Sequence, residues 1–174
     1  MMGYDVRITR APLIEADDDG NPPPNRAIGL DEWLEYVSRS ADLETDPALA
    51  AEVAAVLGPS RGSLPVTWRL DPNKDDAQSR NAAWWINGDI VVKYPSDPLI
   101  TRMVEIGRDL GAIVEGDNAE VYRTDGSSFD PAELDDRAPR TLADLLALTA
   151  PAAVVPASDG RHAPRKPKPW WRFW

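Results

Sequence analysis

Asn87-Gly88, set within the β-prone run from Ala82 to Lys93, constrains the fold more than any other feature of this chain. Both central residues of a two-residue type I′ turn take positive φ, which asparagine and glycine tolerate better than other residues. The pair predicts a β-hairpin over 82–93, and the turn fixes its register: Ile86 faces Asp89, Trp85 faces Ile90 and Trp84 faces Val91. One side of the hairpin then carries Ala83, Trp85, Ile90 and Val92, an apolar set expected in the core, with Trp85, Ile90 and Val92 buried together. The other side carries Trp84, Ile86, Asp89, Val91 and Lys93, which mixes charge with large apolar surface. Such a face is either half covered by another part of the chain or forms a recognition patch, because tryptophan is enriched in both settings.

Short elements surround that hairpin. Tyr4, Val6 and Ile8 alternate with Asp5, Arg7 and Thr9, the period-2 pattern of a half-buried strand. Leu30, Trp33, Leu34 and Val37 fall at helical spacing, with Asp31 and Glu32 suiting the positive end of the helix dipole, and predict a helix over 30–41. Asp46-Pro47 is a cap followed by proline in the first turn, and Leu49, Val53, Val56 and Leu57 share a face, which predicts a helix over 47–57. Val66, Trp68 and Leu70 alternate as a strand. Asp97-Pro98 repeats the cap-and-proline signal before the stripe Leu99, Ile100, Met103, Val104, Ile106, Gly107 and Leu110, which Gly111 stops.

Gly116-Asp117-Asn118 stands between two further β-prone runs as a second, tighter hairpin, and Thr141-x-x-Asp144 opens a last helix that Pro151 ends. The resulting order, β, α, α, β, hairpin, α, hairpin, α, lacks regular βαβ alternation. The expected class is therefore α+β: an antiparallel sheet built from hairpins, with helices packed mainly on one face. Residues 1–150 are read as a single domain and 151–174 as a flexible Pro-rich, basic and aromatic tail.

The chemistry available is narrow. There is no cysteine, which removes disulfides, thiolate metal sites and a cysteine nucleophile. The single histidine, His162, lies in the tail beside Gly160 and Pro164, away from the rigid support that a general base requires. Acids are abundant at Asp17 to Asp19, Asp75, Asp76, Asp135 and Asp136, but they sit in predicted loops, whereas paired-carboxylate catalysis needs a fixed separation across a pocket. The Asp17-Asp18-Asp19-Gly20-Asn21 stretch lacks the ligand spacing of a calcium loop. No catalytic, cofactor-binding or metal-ligating residue is assigned, and a protein that works by binding is expected.

Charge and aromatic placement bear on what it binds, though the sequence alone does not name the ligand. The net formal charge is −10; residues 151–174 hold five basic residues against Asp159 alone, so the rest of the chain carries −14. Such a body repels nucleic-acid phosphates and favours a basic protein partner, although an acidic surface is also a common route to solubility. No apolar run approaches the length of a membrane span, and the first residues lack the apolar core of a signal peptide, so a cytoplasmic location is expected. The expected contact residues are the acids Asp17, Asp18, Asp19, Asp75 and Asp76, the hairpin residues Trp84, Ile86 and Val91, and Trp170, Trp171 and Trp174 of the tail. Four aromatics in the last five residues offer a large contact to a partner, to the acidic body or to a second copy of the chain.

Four stretches resemble a group of small, acidic bacterial proteins. They are Tyr4 to Arg10, Leu30-Asp31-Glu32-Trp33-Leu34-Glu35-Tyr36-Val37, Trp85-Ile86-Asn87-Gly88-Asp89-Ile90, and Gly111 to Tyr122 with its Gly116-Asp117-x-x-Glu120-Val121-Tyr122 ending. In size and acidity these proteins are similar to immunity proteins of secreted-toxin and type VI secretion loci. The resemblance covers about residues 3–123 and the aromatic ending, and its motifs are structural. Asn118 departs from it where an acid beside Asp117 is expected, and residues 59–81 form a longer segment than expected. The resemblance implies a cytoplasmic protein that binds and neutralises a cognate toxin. A homo-oligomeric adaptor that uses the aromatic tail is the alternative.

Overall fold

The computed structural model describes residues 4–15, 26–57, 65–69, 81–134, 139 and 141–150. Among these, eight strands form one sheet: β1 (Asp5–Thr9), β2 (Leu43–Thr45), β3 (Val66–Trp68), β4 (Ala82–Ile86), β5 (Asp89–Lys93), β6 (Ile113–Gly116), β7 (Val121–Tyr122) and β8 (Ser128–Phe129). Four helices accompany them: α1 (Leu30–Arg39), α2 (Pro47–Leu57), α3 (Asp97–Asp109) and α4 (Leu142–Thr149). Short 3-10 turns lie at Leu13–Glu15 and Pro131–Glu133. The strand order is β2-β3-β4-β5-β1-β6-β7-β8 with every neighbour antiparallel, so the fold is α+β.

The first strand lies at the centre of the sheet. Val6 pairs with Val92 of β5 on one side and Gly116 of β6 on the other, while Arg7 lies between Val91 and Glu115. Paired residues share a face, so each strand divides its side chains between two environments. Val6, Ile8, Ile90, Val92, Ala83 and Val114 join Trp33 and Val37 of α1 and Leu99, Ile100, Met103, Val104 and Ile106 of α3 in the main core. The opposite face carries a smaller core, in which Ile113 and Val121 pack with Leu145 of α4, flanked by Ile14 and Phe129. Helices α1 and α3 thus share one face, and α4 with the 13–15 turn packs on the β6–β7–β8 end of the other.

The 82–93 hairpin forms with the expected register, from Ala83 opposite Val92 to Ile86 opposite Asp89. Asn87 and Gly88 take φ of 54° and 99°. Ile90 and Val92 are buried, but Trp85 is only half-buried: its ring packs on the main core while its indole N–H donates to the Ile28 carbonyl at 2.7 Å. Ile28 N–H in turn donates to the Gly88 carbonyl at 2.9 Å. The 26–29 segment therefore lies against the turn so closely that a Cβ on Gly88 would overlap Ala27 and stand 2.9 Å from its Cα.

Other boundaries shift for identifiable reasons. Asp46 caps α2 as expected, its Oδ1 accepting from Leu49 N–H at 2.8 Å, and Thr141 with Asp144 makes the expected capping box on α4. The cap of α3 is Ser96, which places Asp97 and Pro98 inside the first turn; the serine supplies the extended backbone that a cap position needs. The second hairpin is looser than expected. Glu115 pairs with Val121, Gly116 N–H donates to the Glu120 carbonyl, and Ala119 takes the left-handed position at φ 63°. Strand β2 has no counterpart among the sequence expectations, and β3 ends at Trp68, with Leu70 outside the described residues.

Candidate functional site

The sheet face that α4 leaves open is the candidate site. Register assigns its occupants: Asp5, Arg7 and Thr9 on β1, Asp89, Val91 and Lys93 on β5, Trp84 and Ile86 on β4, and Glu115 on β6. A concavity of about 410 Å³ lies here, lined in part by Asp5, Arg7, Leu13, Ile86, Asp89, Val91 and Asp117. On this face Thr9 and Glu115 are fully buried, and Ala82 and Thr67 nearly so, whereas Ile86 and Lys93 are exposed.

The floor is polar and tightly paired. Glu115 is fully buried, and Arg7 holds it with Nη2 and Nε donating to Oε2 at 2.7 and 3.2 Å. Leu13 N–H adds donors' reach to the same carboxylate, 3.1 Å from Oε1. The second carboxylate beside Arg7 is Asp89, 3.6 Å from Nη1. Burial pushes the Glu115 carboxyl above the usual carboxylate range, and the Arg7 guanidinium pulls against that rise. Burial also raises Asp89, opposed by a hydrogen bond from the Thr9 hydroxyl and by Arg7. One guanidinium shared by two carboxylates leaves this floor acidic.

The rim combines carboxylates with apolar surface. Asp5 pairs with Lys93 at 3.0 Å, and its backbone N–H donates to Asp117 Oδ2 at 2.8 Å. Behind this edge, Tyr4 and Tyr122 converge on Glu120, whose Oε2 accepts Asn118 N–H at 3.0 Å. These contacts fix the 116–120 turn and with it Asp117. A Cβ on Gly116 would strike the Glu120 carboxylate and the Tyr4 hydroxyl, so glycine there makes the cluster possible. Burial raises the Tyr4 phenol, with Glu120 and Tyr122 adding to the rise.

Of the expected contact residues, Trp84, Ile86 and Val91 do stand together. Trp84 and Val91 are paired and half-buried, and Ile86 is 48% exposed. Leu13, 44% exposed, extends the apolar part of the rim. Asp17, Asp18, Asp19, Asp75, Asp76, Trp170, Trp171 and Trp174 lie outside the described residues. The acids that frame the site are instead Asp5, Asp89 and Asp117, which sequence reasoning did not select. Their one signal was position: Asp5 and Asp89 share the face of Val91 and Ile86 by simple alternation.

A second concavity, of about 600 Å³, lies beside α1 and α3. Its charged groups engage one another: Arg102 grips Asp42 at 2.7 and 3.0 Å, and Tyr36 donates to Asp109 at 2.9 Å. That pairing makes it a brace between helices. Among the described residues no group of three or more potential metal ligands occurs, and no helix is long and apolar enough to cross a membrane. Compared with known proteins, the chain matches no family model, no curated protein and no solved structure.

Proposed function

We propose that this chain is a non-catalytic binding protein of the cytoplasm, an immunity-type inhibitor that seats a basic effector toxin on the open face of its sheet. The observation that carries this reading is Ile86, exposed at the end of β4 on the face of Trp84 and Val91 and lining a concavity with Asp5, Asp89 and Asp117. Each half of that arrangement meets a different physical need. Exposed carboxylates steer a cationic partner and speed association, but salt screening leaves them little net affinity. Apolar side chains on rigid strands supply the desolvated contact that holds a complex together.

The reading is tested by co-expressing the chain with the product of the adjacent gene and scoring survival and co-purification. Survival with a co-purifying complex is the expected result. If no adjacent product is toxic or co-purifies, the immunity reading gives way to the homo-oligomeric adaptor.

A further inference from the structure

We propose that Tyr94, at the corner between β5 and α3, is a contact residue whose ring takes an arginine side chain of the basic partner. The inference rests on the reading of the neighbouring sheet face as a docking surface and deepens it, adding a contact beyond the concavity and naming the side chain received there.

The backbone supplies the first observation. Tyr94 sits at φ 50°, and only Asn87 and Ala119 join it at positive φ among the described residues other than glycine. The type I′ turn requires this of Asn87, and Ala119 is small and closes the 116–120 turn through its N–H to the Gly116 carbonyl. Neither reason applies to Tyr94. A bulky L-residue is strained in the left-handed region, and the following residue, Pro95, restricts it further. The corner accounts for the dihedral: Tyr94 N–H donates to the Tyr4 carbonyl at 2.9 Å, continuing the β1–β5 pairing, and two residues later Ser96 caps α3. Asparagine or glycine would make the same corner with less strain.

The side chain supplies the second. Tyr94 is 58% exposed, the most of any large apolar side chain among the described residues, and belongs to neither core. The fold therefore carries the strain of a ring that it buries poorly, and an outlier of that kind points to a use for the side chain. With its N–H bonded and a proline next in the chain, the residue presents that ring at small ordering cost.

The surroundings select a cation. Asp97 is exposed in the first turn of α3, Asp5 follows Tyr4 and lines the concavity, and Asp117 accepts the Asp5 N–H at 2.8 Å. Lys93 is engaged with Asp5 at 3.0 Å. An exposed phenol ring among carboxylates suits a guanidinium, which stacks on an aromatic face while its edge donates to carboxylate oxygens.

The test uses full-length wild type, Tyr94→Asn and Tyr94→Phe, titrated at low salt with a nona-arginine peptide while the amide shifts of Lys93, Ser96 and Asp117 are followed. Neither substitution changes the charge, so bulk electrostatic attraction is the same in all three. Tyr94→Asn should unfold at or above the wild-type midpoint, because asparagine tolerates the left-handed backbone, and should weaken the peptide by about threefold. Tyr94→Phe should bind as wild type. An earlier unfolding midpoint for Tyr94→Asn would make the ring a structural element and overturn the proposal. So would equal peptide binding by Tyr94→Asn and wild type, or a loss in Tyr94→Phe as large as that in Tyr94→Asn. The two readings fail separately. If the peptide result holds while no adjacent gene product is toxic or co-purifies, the function falls and the arginine contact stands; if a toxin is captured while Tyr94→Asn binds the peptide as wild type, the contact falls and the function stands.

Discussion

Arg7 is the residue on which the open face most depends, because it is the cation that holds a fully buried carboxylate. Burial raises the Glu115 carboxyl above its unfolded value, so the native state binds that proton more tightly than the unfolded chain. Its contribution to stability is complete below the ordinary carboxylate range and is lost as pH rises through the raised value; Asp89 has the same sign. Arg7→Met removes the opposing guanidinium and should cost about 2 kcal/mol near pH 8, less than a broken fully buried pair because Arg7 is itself part-exposed. Near pH 4, with Glu115 protonated, the loss should shrink. Urea unfolding at the two pH values measures this, and an equal loss at both would refute the role given to Glu115. Gly88 makes a steric claim of the same kind. At φ 99° with Ala27 against it, Gly88→Ala combines left-handed strain with overpacking and should cost roughly 2 kcal/mol or more by the same measurement.

Elements differ in how much of them was legible beforehand. The 82–93 hairpin was readable because its cause is local: two turn residues set both φ values and register. The caps at Asp46 and Thr141 were readable for the same reason. Strand β2 was not, since three residues carry no periodicity and their strand state comes from pairing with β3 far along the chain. Glu115 belongs to the same class. Its burial follows from register with Arg7, more than a hundred positions away, and nothing near it in sequence announces that partner. Half of the site was therefore visible as the outer face of one hairpin, and the charged half was added by strands that meet only in the sheet. The two cores also imply unequal stability. Leu145 is the buried anchor of α4 on a small cluster separate from the main core. Leu145→Ala should cost about 2 kcal/mol or more, felt mainly as local opening of α4. Hydrogen exchange should then accelerate in 142–149 and leave β1 and β5 unchanged; acceleration in all of them alike would show one cooperative unit.

For the whole molecule, the proposed function draws on a difference between its two faces. One is packed by α1 and α3, while the other carries α4 at its β6–β7–β8 end and, on the proposed reading, offers apolar and acidic groups to a partner. The net charge of −10 carries the same logic to long range, because an acidic surface attracts a basic protein before contact. Neutralising Asp5 and Asp117 together should slow association and flatten its dependence on salt, whereas truncating Trp84 should mainly speed dissociation. The measurement that reaches the central claim most directly is binding kinetics of the co-purified partner on immobilised wild type, Ile86→Glu and Ser38→Glu chains, with thermal unfolding recorded for each. Ile86→Glu should retain the wild-type midpoint and weaken binding by about 2 kcal/mol or more, roughly thirtyfold, while Ser38→Glu on the far face binds as wild type. Wild-type binding by a folded Ile86→Glu chain would contradict the account.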